Sequence, residues 1–331
     1  MIKYFSNFNK TRWLVSNPDR LNRTGMDGKP FRCPFCPGNE ADTPPESHRF
    51  GVMVANGPGW LVRVVPNKFN ITEIHEVIIH SPDHEKSIDE LPLSQVELII
   101  KAYRDRFNYW SNCHCEPDDR LVKQSQKGIA SSFTTPRDDR RGRGQVYIFS
   151  NHSLASGASL IHPHSQLAVV PNEIKTNTLE VQPVVNIIEQ NDSFVSYCPE
   201  FSEWAYEVWI KEIAASSTTP RDDNKGDMSL RAERSNLNFG NITDQQISDL
   251  AKILQSMLIK LKKIHAVHYP KKSYGYNFYI FVPSHPKGVQ AQNWYLRIIP
   301  RFMERAGFEL STRIMVNSVD PKKAAEEFKQ K

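Results

Sequence analysis

The segment His162-Pro163-His164-Ser165-Gln166 constrains this chain more than any other stretch. Its proline offers no backbone N–H and cannot sit in a helix interior or donate to a central ladder, so the segment reads as the start or edge of a strand. Alternate side chains of a strand share a face, which puts His162, His164 and Gln166 on one side. Two imidazoles and a carboxamide on one face suit metal ligation, nucleophilic attack or phosphate binding. A polar strand with satisfied histidines is the plain alternative. Upstream, Gly157 and Ser159 give a loop whose backbone can approach a phosphate closely.

A second cluster is Cys33-Pro34-Phe35-Cys36, in a chain with only 5 cysteines among 331 residues. At that spacing, outside a disulfide framework, two thiolates read as metal or redox chemistry, and no βαβ pattern surrounds the pair to favour redox. Tetrahedral zinc needs two more ligands, and His84 and His162 are candidates by residue type. Cys113-His114-Cys115 offers no fourth partner and reads as a surface loop, with a second metal site as the alternative. Arg20, Arg23 and Asn67-Lys68 are candidate phosphate contacts, though each is equally an ordinary surface group.

No apolar run reaches the roughly 20 residues of a membrane helix, and the opening residues carry no apolar leader stretch, so the expectation is a soluble cytoplasmic protein with no membrane partner. The net charge of +5 is mild and partly local, with Arg137, Arg140, Arg141 and Arg143 in one loop. A basic stripe interleaved with aromatics is missing, which argues against nucleic acid, while a mildly basic surface suits small anionic substrates.

β-Branched and alternating runs predict strands at 12–16, 61–65, 74–80, 145–150, 166–170, 276–282 and 294–299. Helical spacing of apolar residues predicts helices at 92–109, 183–189, 244–265 and 321–329. Each half of the chain thus holds a few strands and a helix, an α+β arrangement with mostly antiparallel sheets. Residues 130–139 and 215–223 share Ala-Ser-Ser, Thr-Thr-Pro-Arg-Asp-Asp in register apart from one inserted phenylalanine. They mark two expected insertions, about 116–144 and 214–238, read as copies of one mobile repeat or, alternatively, as a duplicated binding loop.

Taken in order, Arg32 to Glu40, Val65-Pro66-Asn67-Lys68-Phe69, His75-Glu76-Val77-Ile78, Ser81-Pro82-Asp83-His84, the His162–Gln166 core, Ile299-Pro300-Arg301 and Ala306-Gly307-Phe308-Glu309-Leu310 resemble the galactose-1-phosphate uridylyltransferase family, a branch of the histidine-triad superfamily. The resemblance implies two histidine-triad-like half-domains, 1–172 and 173–331, each a mostly antiparallel sheet with flanking helices, usually paired into a homodimer. It implies double displacement: His164 attacks the α-phosphorus of UDP-glucose, and the uridylyl-histidine passes UMP to galactose 1-phosphate. The alternatives are adenylyl transfer or phosphorolysis of ADP-glucose, a nucleotide hydrolase, or a zinc-stabilised binding protein with decayed chemistry.

The resemblance further puts a structural zinc on Cys33, Cys36, His84 and His162. Gln166 stands where hydrolase relatives carry a third histidine. Asn151, Gly157 and Ser159 match phosphate-lining positions, Arg20 and Arg23 an arginine pair, Asn67 a nucleotide-side position and Glu309 a hexose contact. The chain departs from the family at Asn293-Trp294-Tyr295, where many members carry a second His-x-His, so no second metal is expected.

Overall fold

The computed structural model describes residues 2–22, 32–51, 59–112, 144–213 except 175, 177, 178 and 180, 239–283 and 294–331. The expected insertions about 116–144 and 214–238, the Cys113-His114-Cys115 loop, Arg23 and Asn293 lie outside the described residues, apart from Gly144 at the edge of the first insertion.

Strands β1 (Lys3–Ser6) and β2 (Trp13–Ser16) form a separate hairpin, Lys3 opposite Ser16. The remaining strands are β3 (His48–Phe50), β4 (Val62–Pro66), β5 (Ile74–Ile79), β6 (Gln145–His152), β7 (His164–Val170), β8 (Ile187–Gln190), β9 (Phe194–Tyr197), β10 (Val208–Glu212), β11 (Tyr276–Phe281) and β12 (Tyr295–Pro300). They build one 10-stranded sheet in the order β3-β4-β5-β7-β6-β11-β12-β10-β9-β8. Every pairing among the described strands is antiparallel. Strands from the first part of the chain fill one side and those from the second part fill the other. They join where β6 pairs with β11, Asn151 opposite Asn277.

One face of the sheet carries helices α1 (Leu93–Asn112) and α2 (Asp244–His268). The apolar stripe of α1 buries Val96, Ile99, Ile100, Tyr103 and Phe107 against Val64, Ile78, Val146, Ile148 and Leu167 from the strands. Burying each such side chain is worth about 1.5–3 kcal/mol. Helix α2 begins at a capping box, Thr243 Oγ1 accepting from the Gln246 N–H at 3.2 Å while Gln246 Oε1 accepts from the Thr243 N–H at 2.9 Å. Its stripe of Ile247, Leu250, Leu254, Met257, Leu258 and Leu261 continues the same core under the second part of the sheet. Helices α3 (Gly307–Thr312) and α4 (Pro321–Lys329) close the chain. Among the described residues no helix is long and apolar enough to cross a membrane.

The helix expected at 183–189 is a correction. Asn186 has φ +50 and ends any helical run, and the β-branched Ile187 and Ile188 enter the edge strand β8, bulged between Ile187 and Glu189 where it pairs with β9. Two strands that the sequence reading did not predict, β9 and β10, are buried almost throughout, polar Ser196 and Glu212 included, so no in-and-out alternation marks them.

Candidate active site

The register of β5, β6 and β7 divides their side chains between the two faces. Ser165 opposes Ile78 and Ser150, and Leu167 opposes Glu76 and Ile148. Ser165 and Leu167 face α1, so His164, Gln166 and Ala168 face away from the helices. Ser165 is held from beneath: its Oγ lies 2.5 Å from Tyr103 Oη and 2.7 Å from His80 Nε2, all three buried. Burial, then the neighbouring histidines, push His80 well below the ordinary histidine value, so it stays neutral in this cluster. Strand β7 is thereby fixed to α1 at the residue between His164 and Gln166.

His164 is 9% exposed and lies beside Phe35, ring centroids 5.3 Å apart. Its Nδ1 is 2.9 Å from the backbone carbonyl of His162. A carbonyl can only accept, so Nδ1 carries the proton and Nε2 is the basic nitrogen of the ring. His164 and Gln166 line a cavity of about 460 Å³, with Phe35, Val65, Val77 and Leu160 as apolar walls and Arg32, Asn67, Lys68 and Ser159 among its polar ones.

Gln166 Oε1 lies 3.0 Å from His75 Nε2 and 3.4 Å from Asn67 Nδ2. Gly157 has φ +85, a left-handed conformation that favours glycine, and it turns the chain from the end of β6 toward Ser159 and the cavity. Asn151 Oδ1 accepts from Asn277 Nδ2 at 2.7 Å, and the same amide reaches the Ser156 carbonyl at 2.9 Å, so the loop is tied across the β6–β11 seam.

Cys33, Cys36, His84 and His162 converge behind this wall, their ligand atoms all within 4.8 Å of one another. Cys36 Sγ is 3.2 Å from His84 Nδ1 and 3.7 Å from His162 Nδ1, and Cys33 Sγ is 3.7 Å from His162 Nδ1. Tetrahedral zinc with ordinary bond lengths separates its sulfur and nitrogen ligands by about 3.6 Å, so the set fits. The His162 Nε2–H donates to the Ser81 carbonyl at 2.9 Å, which turns Nδ1 toward the thiols, as a ligand histidine requires. Without a cation, burial and the adjacent Cys33 raise the Cys36 thiol to about 11, and burial lowers His162 to about 4. Neutral imidazole is the ligating form, and a dication stabilises the thiolate.

The other expected site residues fall as follows. Arg20 reaches the Phe69 carbonyl through Nη1, and so braces the loop after β4 that carries Asn67. Glu309 caps its own helix, Oε2 accepting from the Ala306 N–H at 3.1 Å, and does not line the cavity that holds His164. Sequence reasoning saw His75 and Ser165 only as members of motifs, without a role, and passed over Asn277, Tyr103 and His80. Their partners lie on strands and helices remote in sequence, and only the cross-strand register brings them in.

The chain is similar to several known proteins. Residues 74–169 match the family described as galactose-1-phosphate uridyl transferase, N-terminal domain. An ADP-glucose phosphorylase of Arabidopsis thaliana is 23% identical, over 95% of this chain and 88% of that protein. A galactose-1-phosphate uridylyltransferase of Saccharomyces cerevisiae is 22% identical, over 78% of this chain and 74% of its own length. In fold, the chain superposes on the Arabidopsis thaliana ADP-glucose phosphorylase with bound ADP-glucose at a TM-score of 0.63 and 20% identity, covering 100% of this chain and 99% of that one. A uridylyltransferase structure matches at the same TM-score of 0.63 with 18% identity, covering 100% and 98%. The matched stretch, residues 74–169, contains β5, β6, most of β7 and the His162–Gln166 core. The chain is similar to the galactose-1-phosphate uridylyltransferase family, and the similarity is centred on the stretch that carries this core.

Proposed function

We propose that the chain transfers a nucleoside monophosphate from a nucleoside diphosphate sugar to a phosphate-bearing acceptor by double displacement at His164. The observation that carries this reading is the His164 Nδ1–H bond to the His162 carbonyl, which leaves the basic Nε2 on a ring lining the cavity. In the first step Nε2 attacks the α-phosphorus: the N–P bond forms, the bridging P–O bond breaks, and its electron pair leaves on the sugar 1-phosphate. In the second step an acceptor phosphate oxygen attacks the same phosphorus and the electron pair of the N–P bond returns to Nε2. The Nδ1 proton stays in place throughout, and the His162 carbonyl stabilises the cationic imidazolium of the intermediate.

Gln166 would supply amide N–H groups to the phosphoryl oxygens. A carboxamide has no proton to shuttle at neutral pH, so it gives water no general-base help, and the intermediate persists until a phosphate acceptor arrives. Ser159, Asn151 and the Gly157 turn are assigned to the phosphates, Asn67 to the nucleotide side, and Arg20 and Arg23 to the substrate as an arginine pair. Glu309 is assigned to the hexose, and the reading takes the assembly as a homodimer. Cys33, Cys36, His84 and His162 would hold one zinc. Four protein donors leave it no open position, so it would fix the strand start that carries His164 and take no part in bond making. The reading assigns no second metal, takes 1–172 and 173–331 as two related halves, and has the enzyme act in the cytoplasm.

ADP-glucose is the first donor to try, since similarity to the ADP-glucose phosphorylase runs over 95% of this chain. Phosphate or a hexose 1-phosphate would then be the acceptor. The second reading is UDP-glucose with galactose 1-phosphate, favoured by the match of residues 74–169. Intact-mass measurement after mixing pure protein with either nucleotide sugar, without acceptor, tests both. A gain of AMP or UMP on His164 supports the mechanism and names the base. No adduct with either, from folded and zinc-loaded protein, overturns it in favour of a hydrolase or a binding protein.

A further inference from the structure

We infer that His75 is a positioning residue: it sets the direction of the Gln166 carboxamide so that the amide nitrogen, and not the oxygen, is turned toward the phosphoryl group. This rests on the nucleotidyl-transfer reading for its consequence in catalysis, but the geometry stands by itself. The backbone N–H of Ile71 donates to His75 Nδ1 at 3.0 Å. An N–H only donates, so Nδ1 has no proton in the neutral ring and Nε2 carries it. That Nε2–H lies 3.0 Å from Gln166 Oε1.

The Asn67 amide is oriented in the same way. Its Oδ1 accepts from the Phe69 N–H at 2.9 Å, which turns Nδ2 toward Gln166 Oε1 at 3.4 Å. The 3.3 Å approach of Asn67 Nδ2 to His75 Nε2 is therefore two donors converging on one carbonyl oxygen. A reversed Gln166 amide would set its own N–H groups against both donors. His75 itself is 4% exposed on β5 and lies against the Phe149 ring, centroids 6.4 Å apart, so it has little freedom to turn away. The Gln166 nitrogen is left to the other side, where the residue lines the cavity with His164.

The consequence is a fixed donor where charge develops on the phosphoryl oxygens, aligned before substrate arrives. His75 touches no reacting atom in this scheme. It acts through Gln166, and its loss should misdirect the amide, not remove it.

The test pairs His75→Phe, which keeps a ring and removes the N–H, with Gln166→Ala and the double variant. On the wild-type background His75→Phe should lower kcat for nucleotidyl transfer roughly tenfold to hundredfold with KM little changed, the scale of a small misplacement of a catalytic group. On the Gln166→Ala background it should cost nothing further. An undiminished kcat in the single variant, or the same factor lost on both backgrounds, overturns the assignment. Ring 15N spectra of the wild-type protein decide the geometry independently of activity and of how the variants fold. They should show His75 protonated at Nε2, with that N–H resonance moved in Gln166→Ala. A proton on Nδ1 overturns the assignment. If wild-type protein forms no adduct while the ring carries its proton on Nε2, the nucleotidyl-transfer reading fails and the positioning geometry survives.

Discussion

His164 donates its Nδ1–H to the carbonyl of His162 at 2.9 Å, while the His162 ring, through its own Nδ1, faces Cys33 and Cys36 at 3.7 Å each. One residue thus links the two chemistries of the site. Its backbone orients the nucleophile and its side chain completes the cluster. A disturbance of the cluster reaches Nε2 of His164 through a single peptide unit and the hydrogen bond on it.

Replacing the nucleophile should separate chemistry from binding. His164→Gly is expected to abolish the covalent nucleotidyl adduct in intact-mass spectra while the nucleotide sugar still binds in calorimetry. Glycine in a strand costs about 0.5–1 kcal/mol, so the melting temperature should fall only slightly. An adduct that persists in this variant places the nucleophile elsewhere.

Cys33→Ser should lose zinc and stability together. Structural zinc contributes on the order of 10 kcal/mol to folding in small metal-dependent domains, and in a chain with a core of this size a loss of several kcal/mol is expected. Elemental analysis and chemical denaturation measure the two effects on one sample. Full zinc content with an unchanged denaturation midpoint would remove Cys33 from the ligand set. Chelation of the wild-type protein should reproduce the variant and slow adduct formation.

Gln166→Ala removes the amide donor but leaves His164 intact. Loss of one such donor to developing negative charge costs roughly 10²–10³ in kcat. The adduct should therefore still form, slowly, and single-turnover mass measurements over time would follow it. A rate equal to that of wild type would mean that the amide does not contact the phosphoryl group.

Glu212 supplies a pH dependence of stability away from the site. Burial raises it above its usual 4.5, against the hydrogen bonds that favour its charged form, among them the one from Gln246 Nε2 at 2.7 Å. The folded chain keeps this proton to higher pH than the unfolded chain does. Glu212 therefore subtracts stability as pH rises through the interval between the two values, and the deficit is complete above the folded one. Glu212→Gln keeps an acceptor for Gln246 and has no charge to bury. It should be more stable than wild type at neutral pH, with a flatter stability curve above the ordinary glutamate range. Urea midpoints at several pH values check this, and an identical slope in the two proteins would contradict it.

What could be read from sequence was what the chain encodes locally. The stripes of α1 and α2 and the alternation of β7 depend on neighbours a few residues away, and they lie where their periodicity puts them. The pairing of Cys33 with Cys36 is local too. The choice of His84 and His162 as their companions needed the family resemblance, because residues 48 and 126 positions from Cys36 meet it only through the sheet. His75 was visible as part of a motif, yet its partner Gln166 is 91 residues away and nothing in either segment names the other. Arg20 was legible only as an arginine near a phosphate motif; its bond to the Phe69 carbonyl, 49 residues away, was not. At 183–189 the apolar spacing fits a helix as well as an edge strand, and the backbone of Asn186 decides between them.

The seam between β6 and β11 also fixes what can be separated from what. The two parts of the chain share one hydrogen-bonded ladder there, with partners running from Tyr276–His152 to Ile280–Ile148, and one apolar core beneath it that mixes α1 with α2. Neither part has an edge of its own at that place. Half of the chain made alone would bare β6 or β11 along its whole length, a long unblunted edge ready to pair with any strand that meets it. Gene fragments that separate β6 from β11 should yield aggregates, because each would carry one of these two strands without its partner.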